Sequence, residues 1–575
     1  MSHNRLAQLK SHLRIPSNPP PQYVVREEPL GTARQIRIIT IGAGASGLNL
    51  IRTLKEQLTN YQHIIYEKNL EVGGTWYENR YPGCKCDIPS HNYQFAWKPN
   101  PEWSEFFSSA EEIQEYLCGL CTEDMRREIK TKHEVVAARW NEESGIWEVK
   151  VKSLATGTVF DDFCHFLLNA GGILNNWKWP TIPGLHDFTG NLIHSADWPH
   201  KYDWKGQRVA VIGNGSSGVQ IVPAMQKDAR QLVHFFREAT WIAPPRLELL
   251  SQGEAGSILD MIQYDEEGRF SPEQIAKFKS DPEFYRKFVK AVEKETNNNF
   301  YVTLKDSDTH KFATAMFAEH MREKLNHNDT LIRALVPEFP LGCRRLTPGI
   351  GYLEALTEPN VRVVTDAIVS VVPNGLVTQS GETIEVDAIV CATGFDVSFR
   401  PRFPLVGRRG NLQDLWEKQL PKAYMSCAVP SLPNYFVFLG PNAPIGHGSV
   451  FTITELLAKY IVGIVQKCQV EGIKAIAPST AAVEELYVHT QAFMPRTAWA
   501  GSCSSWFKGG TVDGPVTALH PGSRIHFFHM LEKFRGEDWE YVHVEKRNRF
   551  AYLGNGLSTK ELDGSDSTWY LDVTD

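Results

Sequence analysis

Two short apolar strands, each followed at once by a Gly-x-Gly-x-x-Gly loop, constrain the fold of this chain more than any other feature. The first strand covers residues 36–41 and enters the loop at 42–47, and the second covers 208–212 and enters the loop at 213–218. Glycines at these positions permit a tight turn and let a pyrophosphate approach the backbone at a helix N-terminus. One such loop is weak evidence. Two copies predict an α/β protein with two Rossmann-like dinucleotide-binding domains.

The first loop belongs to a complete strand–helix–strand unit. The segment LNLIRTLKEQL after it has helical apolar spacing, and the next strand, residues 64–66, ends in Glu67. This acid lies about 25 positions after Gly42, where a carboxylate can hydrogen-bond the ribose hydroxyls of an adenine nucleotide. We therefore expect the first domain to hold a nucleotide with free ribose hydroxyls, as FAD has.

The second loop differs at the matching position. Its following strand, residues 232–236, ends in Arg237 and not in an acid. An acid would repel a 2′-phosphate, whereas a guanidinium pairs with one through its planar fork. The second domain is therefore expected to bind NADP. The alternative, that Arg237 is only a solvated charge at a strand end, stays open.

Length and composition exclude several classes of protein. A chain of 575 residues is too long for one compact core and favours about two to four domains. The net charge of −7 gives no general attraction to nucleic acid or to an anionic membrane. No apolar run reaches the ~18 residues of a membrane span, and the first residues lack the apolar core of a signal peptide.

Cysteine usage favours an intracellular protein, and we expect a cytoplasmic one. The ten cysteines form no small-domain framework and are expected to be mostly reduced, buried thiols. Cys84 and Cys86 form a Cys-x-Cys pair, which has neither the spacing of a dithiol redox centre nor a second pair to complete a zinc site. We expect both to be structural and predict no metal.

The order of motifs predicts a split first domain. Residues 1–35 are polar and proline-rich and read as an N-terminal extension without its own core. We assign 36–175 to the first part of the FAD domain, 176–385 to the NADP domain, and 386–575 to the second part of the FAD domain and a C-terminal segment. Charged, helix-forming sequence at about 250–330 predicts a helical insertion in the NADP domain, with a capping signal at Ser271.

Two further motifs carry a family resemblance. The first pattern, F-x-G-x-x-x-H-x-x-x-W-P, is met by Phe188, Gly190, His194, Trp198 and Pro199. The second, G-x-W-x(4)-Y-P-G-x(3)-D, is met by Gly74, Trp76, Tyr81, Pro82, Gly83 and Asp87. Over roughly residues 36–535 the chain resembles the class B flavin monooxygenases and, within them, the Baeyer–Villiger monooxygenases. Its Gly-Pro-Asn-Ala-Pro segment from Gly440 and its insertion resemble the fungal secondary-metabolism branch.

The resemblance implies a reaction. NADPH reduces FAD, the reduced flavin and O2 form a C4a-peroxide, and the anionic peroxide adds to a ketone to give an ester or lactone. In this family Arg345 would stabilise the anion and Asp87 would orient Arg345. Such a guanidinium suits the task because it stays protonated and presents fixed donors. His194 and Trp198 would position the linker between domains and would not take part in bond making.

The resemblance also assigns the cofactor contacts. Arg344 and Arg237 match positions that contact the NADP 2′-phosphate, and Trp506 matches the tryptophan that contacts the nicotinamide ribose. On the NADP side the residues are Gly213, Gly215, Ser216, Ser217, Gly218, Arg237, Arg344, Arg345 and Trp506. On the FAD side they are Gly42, Gly44, Ser46, Gly47, Glu67, Gly74, Thr75, Trp76, Asp87, Tyr93 and Val136.

Three alternatives remain at this stage. An N- or S-oxidising flavin monooxygenase would share the fold and both cofactors. A flavin disulfide reductase would need a Cys-x(2–4)-Cys pair, which Cys84 and Cys86 do not form. A non-catalytic nucleotide sensor would be expected to lack Asp87 or Arg345. The preferred partner is a small-molecule ketone, with a polycyclic or polyketide-type intermediate as a guess from the branch resemblance.

Overall fold

The structure is a computed structural model that describes residues 23–572, apart from 245–257, 259 and 266. Residues 1–22, most of the predicted N-terminal extension, and the start of the predicted insertion near 252 therefore lie outside the described residues. Within the extension, Leu30 forms backbone hydrogen bonds with Leu557 and Thr559. The C-terminal segment thus packs against the start of the described chain.

A first sheet of five parallel strands follows from the first strand–loop–helix unit. Its central strand, Ile36–Ile41, is apolar, and four of its six residues are buried, which is typical of a parallel sheet covered by helices. The C-terminal half of the chain supplies one edge strand. In sheet order the strands are Tyr435–Val437, Phe166–Asn169, Ile36–Ile41, Tyr61–Tyr66 and Ile129–Lys130.

A second five-stranded parallel sheet is built around the second unit. Its central strand, Arg208–Ile212, contains three residues that are fully buried. In sheet order the strands are Val361–Val364, Gln231–Phe235, Arg208–Ile212, Ala388–Cys391 and Asn191–His194. Two parallel sheets, each with a glycine loop after its central strand, confirm the predicted α/β fold class.

The remaining strands of the described residues form four further sheets. A mixed sheet contains Gly410–Asn411, Leu405–Gly407, His133–Asn141, Ile146–Ser153 and Val159–Cys164, the last three paired antiparallel as their alternation predicts. A three-stranded antiparallel sheet contains Ile368–Val372, Gly375–Thr378 and Thr383–Glu385. Two-stranded sheets join Ile242–Ala243 to Thr347–Pro348 and Ile473–Pro478 to Trp539–His543.

The helices cover the sheets and form the insertion. The α-helices are Ala45–Gln57, Thr75–Glu78, Ala110–Leu120, Glu123–Arg126, Ser216–Gln226, Pro272–Ser280, Pro282–Asn298, Asp308–Lys324, Asp329–Leu335, Tyr352–Ala355, Leu412–Lys418, Val450–Val470, Thr480–Phe493, Arg524–Leu531 and Thr559–Leu562. Short 3-10 turns are Ser90–Asn92, Leu185–Asp187, Asn299–Thr303, Met494–Arg496, Ala498–Ala500, Trp506–Lys508, Gly536–Asp538, Ala551–Leu553 and Trp569–Leu571. Among the described residues, no helix is both long and apolar enough to cross a membrane.

The insertion helices pack against an early part of the chain. Ser271 caps the helix Pro272–Ser280, as its sequence predicts, by accepting a hydrogen bond from the backbone of Gln274. Phe278 and Phe288 form a buried aromatic cluster with Phe106 and Phe107. The insertion thereby covers the segment that follows the Asp87 loop.

Eight of the ten cysteines are free thiols, including Cys84 and Cys86. Burial raises the pKa of the Cys84 thiol to about 12, so this thiol is a poor nucleophile. Cys343 and Cys503 depart from the expectation of reduced thiols because they form a disulfide across 160 residues. Their side chains meet because the loop before Arg344 lies against the loop before Trp506.

Candidate active site

The buried carboxylate of Glu67 binds the backbone of the first glycine loop. One carboxylate oxygen of Glu67 accepts the backbone N–H of Ala43 at 2.7 Å, and the other accepts that of Asn69 at 2.8 Å. The side chain is nearly fully buried, and this burial raises the pKa of Glu67 although both N–H donors oppose the shift. A buried acid with two donors is a fixed part of the loop.

Steric crowding explains why glycine is required at several positions of the first loop. Gly42 has φ +94°, and a Cβ there would lie 2.8 Å from the carbonyl oxygen of Ala170. A Cβ on Gly47 would lie 2.2 Å from the carbonyl oxygen of Gly42. Gly44 and Gly74 face each other with only backbone between them, since a Cβ on either would lie 3.1–3.5 Å from the other's Cα. This bare backbone fits the pyrophosphate of an adenine dinucleotide.

Other residues expected on this side lie near the same loop. Ser46 is in the first turn of the helix Ala45–Gln57, and Thr75 begins the short helix that contains Trp76. Val136 lies at a bulge in the strand His133–Asn141, whose first residue donates its backbone N–H to the carbonyl of Glu67.

The second loop has the same backbone plan with a more open centre. Gly213 has φ +107°, and a Cβ on Gly218 would lie 1.9 Å from the carbonyl oxygen of Gly213. A Cβ on Gly215 would have nothing within 4 Å among the described residues. Ser216 and Ser217 begin the helix behind the loop, and the Ser216 hydroxyl lies 2.7 Å from that of Thr347. The loop has room for a second dinucleotide.

Basic and acidic residues meet beside the second loop. Arg237 is exposed just after the strand Gln231–Phe235, and its neighbour Glu238 pairs with the guanidinium of Arg344. Arg344 also donates to the carbonyl oxygens of Ser504 at 2.8 Å and Ala239 at 3.0 Å. Burial lowers the pKa of Arg344, although Glu238 opposes that shift. Glu238 is a residue that sequence reasoning missed.

Asp87 and Arg345 form a bidentate ion pair. The Arg345 Nε donates to one Asp87 oxygen, and Nη2 donates to the other at 2.8 Å. Arg345 Nη1 donates to the backbone carbonyl of Ile445 at 3.1 Å. Burial alone would lower the pKa of Arg345, but the Asp87 carboxylate raises it above its usual value. A guanidinium carries five N–H bonds, so two remain for another acceptor.

Aromatic rings lie beside this pair. The rings of Trp76 and Tyr93 are 5.5 Å apart, and Tyr93 packs on Phe451 at 4.5 Å. Burial raises the pKa of Tyr93, and Asp87 and Arg345 act on it electrostatically. The structure therefore brings Trp76 and Tyr93 to the Asp87–Arg345 pair.

The loop that contains Trp506 lies beside Arg344. The 3-10 turn Trp506–Lys508 begins two residues after Ser504, whose carbonyl oxygen accepts from Arg344. The Trp506 ring packs on Phe507 at 4.7 Å and is partly exposed. The Cys343–Cys503 disulfide joins this loop to the one that contains both arginines.

The segment with the F-x-G-x-x-x-H motif lies where the chain crosses between the sheets. His194 is buried at the end of the strand Asn191–His194 and stacks on Trp177 at 4.4 Å. Its Nδ1 accepts the N–H of Ala196 at 3.1 Å, and its Nε2 lies 3.3 Å from the Thr393 hydroxyl. Burial lowers the pKa of His194 to about 4, so the ring is neutral. These contacts hold crossing segments together.

The other motif residues have packing roles in the structure. Phe188 and Trp198 are both buried, and Trp198 packs against Tyr202 and Trp204. A Cβ on Gly190 would lie 2.4 Å from the carbonyl oxygen of Asp387 and 2.6 Å from the Phe188 ring.

The Ile445 carbonyl and His447 also escaped sequence reasoning. Both lie in the segment that follows Gly440, and a lone carbonyl or histidine offers no spacing signal. Their neighbourhood with Arg345 becomes visible only in three dimensions.

Comparisons with known proteins agree with this architecture. The family model described as "Flavin-binding monooxygenase-like" matches residues 35–264. The chain is 39% identical over 547 residues to the FAD-binding monooxygenase tazF of Aspergillus terreus, covering 94% of this chain and 95% of the relative. It is 32% identical to a Baeyer-Villiger monooxygenase of Streptomyces coelicolor, covering 86% and 90%. Cyclohexanone monooxygenase from Rhodococcus sp. Phi1 bound to NADP+ matches with a TM-score of 0.72 and 27% identity, covering 89% and 100%.

Proposed function

The chain belongs to the family of flavin-binding monooxygenases and is an oxidoreductase, and we propose that it is a Baeyer–Villiger monooxygenase that uses FAD and NADPH. The reaction would insert one oxygen atom of O2 next to a ketone carbonyl to give an ester or lactone. The observation that carries this proposal is the bidentate Asp87–Arg345 pair, with two guanidinium N–H bonds left for an oxygen that becomes negative.

The bound cofactors would supply the redox chemistry, with NADPH providing the reducing equivalents and the flavin transferring oxygen. The first loop and Glu67 fit FAD, because Gly44 and Gly74 present bare backbone beside a helix N-terminus. Gly74, Thr75, Trp76, Tyr93 and Val136 are proposed to complete that site. The second loop would hold NADP, because the position of Gly215 is open. Arg237 and Arg344 are proposed to bind the 2′-phosphate, and Trp506 is proposed to contact the nicotinamide ribose.

Arg345 would then act as an electrostatic catalyst. It stays protonated because Asp87 raises its pKa, and Asp87 fixes the direction of its remaining donors. Negative charge that develops on oxygen during ketone attack is stabilised by donors that need not reorganise. The rings of Trp76 and Tyr93, 5.5 Å apart, would help to exclude water from this charge.

The proposed domain organisation follows the strand pattern. Residues 36–175 and 386–575 would form the FAD domain, because the first sheet takes Tyr435–Val437 as its edge strand. Residues 176–385 would form the NADP domain with its insertion. His194 would hold the crossing chain and so affect NADPH handling and not bond making.

A substrate panel tests the proposal. Purified protein with bound FAD is supplied with NADPH and cyclic, linear and polycyclic ketones, and with amines and thioethers as the competing class. We expect NADPH consumption with esters or lactones as products. Oxidised amines or sulfoxides without any ester would contradict the proposal and favour the N- or S-oxidising alternative.

The Arg345→Ala variant tests the mechanism within that reaction. It should still bind FAD and be reduced by NADPH, yet form no ester, because the remaining donors for the anion are lost. Product mass and stopped-flow flavin reduction separate the two steps, and Arg362→Ala, which removes an exposed guanidinium paired with Glu382, is the control. Normal ester formation by Arg345→Ala would refute its catalytic role.

A further inference from the structure

A second arginine near the proposed site is buried without the hydrogen bonds that a guanidinium normally has. Arg524 begins the helix Arg524–Leu531, and its side chain is 0% exposed. Its Nη1 lies 3.0 Å from a carboxylate oxygen of Glu293. That contact lacks hydrogen-bond geometry, and none of the nitrogens Nε, Nη1 and Nη2 has a hydrogen-bond partner among the described residues. Burying such a charge is costly unless its donors are satisfied.

A purely structural ion pair does not account for this geometry. Arg345 shows what a satisfied guanidinium looks like in the same molecule, with both carboxylate oxygens of Asp87 and a backbone carbonyl as acceptors. Glu293 instead offers Arg524 one oxygen, and its other oxygen accepts from the Asn92 amide at 2.9 Å. The N–H groups of Arg524 therefore remain without a hydrogen-bond acceptor among the described residues.

His447 adds a second unsatisfied donor beside Arg524. Its Nε2 accepts the backbone N–H of Arg524 at 3.4 Å. Burial, together with the charges of Arg524 and Arg345, lowers the pKa of His447 to about 3. The ring is therefore neutral, and because Nε2 is the acceptor, the proton is on Nδ1. No residue that the structure describes accepts a hydrogen bond from that Nδ1.

One short segment places these donors near Arg345. The Ile445 carbonyl accepts from Arg345, and three residues later a Cβ on Gly448 would lie 2.0 Å from Arg524 Nη1. Three residues of extended chain span at most roughly 10 Å. The two guanidinium groups are therefore near enough for one molecule with two or three rings to contact both.

Aromatic side chains flank the donors. Phe300 lies 5.7 Å from the His447 ring and 6.1 Å from the Trp499 ring. The guanidinium of Arg524 lies over the Phe528 ring at 5.2 Å. These rings favour a flat apolar body with one polar end.

We propose that Arg524, with His447 beside it, binds an anionic oxygen of the substrate, so that the preferred ketone carries a carboxylate or an ionised phenol or enol at the end remote from its carbonyl. This inference rests on the proposed function, because it takes Arg345 as the position of the reacting carbonyl. An anionic oxygen would satisfy the free donors of Arg524 and give charge-assisted hydrogen bonds.

The test compares matched ketones on the FAD-containing enzyme. The probes are 4-(4-oxocyclohexyl)benzoate, its methyl ester, and 4-(4-hydroxyphenyl)cyclohexanone measured below and above the pKa of its phenol. We expect kcat/KM for the benzoate to exceed that for the ester by about tenfold or more, the range of a charge-assisted hydrogen bond. A rise only for the ionised phenol would support the inference and identify phenolate as the anion. Equal values for all probes would overturn it.

Two variants make the assignment specific. Arg524→Met should reduce the benzoate-to-ester ratio to about one, and Arg524→Lys should retain part of it. Glu293→Gln should raise the ratio, because it removes a competing acceptor from Arg524, and it serves if Arg524→Met does not fold. An unchanged ratio in Arg524→Met, or a lower one in Glu293→Gln, would overturn the inference.

The two proposals fail in different ways. Ester products from the methyl ester probe, with no preference for the anion, would leave the proposed function standing and overturn only the anion subsite. No oxygenated product from any ketone would remove the proposed function. Calorimetric binding of the benzoate to the oxidised enzyme then measures the anion preference without turnover, and its loss in Arg524→Met would still support the subsite.

Discussion

The two glycine loops share one backbone plan but differ in how their neighbouring charge is held. In the first, Glu67 is nearly fully buried, and its two oxygens accept the backbone N–H of Ala43 in the loop and that of Asn69 after the next strand. In the second, Arg237 is exposed, and the adjacent Glu238 pairs with Arg344. In the first site the charged side chain already has its hydrogen bonds. In the second site an exposed arginine and a partly exposed ion pair are available to rearrange around a ligand. This difference suits a cofactor that stays bound and one that must enter and leave.

The largest effect is expected when one glycine in each loop is replaced and the two single variants are compared. Gly47→Ala would place a Cβ 2.2 Å from the Gly42 carbonyl oxygen, so the first loop must deform. We expect this variant to be purified largely without flavin, as judged by its visible absorbance. Gly215→Ala, whose Cβ meets nothing within 4 Å among the described residues, should keep its flavin and lose only NADPH affinity. Loss of flavin from both variants would contradict the assignment of FAD to the first loop and NADP to the second.

Glu67→Gln is expected to weaken FAD binding. An amide has one oxygen and an NH2 group, so one of the two backbone N–H donors would face another donor. An unsatisfied buried donor costs about 1–3 kcal/mol, which corresponds to roughly a 5- to 150-fold loss of FAD affinity, measured by reconstitution of the apoprotein. Glu143→Gln, at an exposed position, is the control. Unchanged FAD affinity in Glu67→Gln would show that the loop does not depend on this carboxylate.

Arg237→Ala should raise the KM for NADPH by about tenfold, because one charge-assisted contact to the 2′-phosphate is lost. The KM for NADH, which has no 2′-phosphate, should stay the same. Steady-state assays with both coenzymes at one ionic strength measure this. Unchanged KM values for both coenzymes would mean that Arg237 is a solvated charge, and an equal rise for both would mean that it is a structural residue; either result would show that it does not select the phosphate.

Glu238→Gln should act in the opposite direction and with the smallest effect. Removing the carboxylate frees Arg344 for the phosphate, and a partly exposed pair is worth only about 0–1 kcal/mol. We expect the KM for NADPH to fall by about two- to threefold, with a stronger dependence on salt because one more cation faces the phosphate. A higher KM would indicate that Glu238 orients Arg344 and does not compete for it.

Local patterns explain what could be predicted from the sequence. Both strand–loop–helix units are encoded within about 25 residues of each glycine loop, and the cap at Ser271 is formed as predicted. Asp87 and Arg345 are 258 residues apart, so no spacing could pair them and the expectation came from resemblance alone. The pairing itself depends on how the fold brings distant loops together.

The residues that were missed share a physical reason. Glu238, His447 and Arg524 are isolated polar residues whose partners lie more than 70 positions away. A lone glutamate, histidine or arginine carries no periodic or motif signal, and only its surroundings separate a solvated charge from a buried donor. The expectation of reduced thiols failed for Cys343 and Cys503 for the same reason, since proximity between loops cannot be read from cysteine spacing.

The disulfide also has a topological consequence. The bond closes a covalent ring from Cys343 to Cys503, and this ring includes Ala388–Cys391 of the second sheet and Tyr435–Val437 of the first. A single proteolytic cut within the ring would leave both pieces attached, and in the unfolded chain the ring removes conformational freedom worth on the order of 5 kcal/mol for so long a loop. After one cut within the ring, the strands Ala388–Cys391 and Tyr435–Val437 therefore remain in one covalent molecule until this bond is reduced.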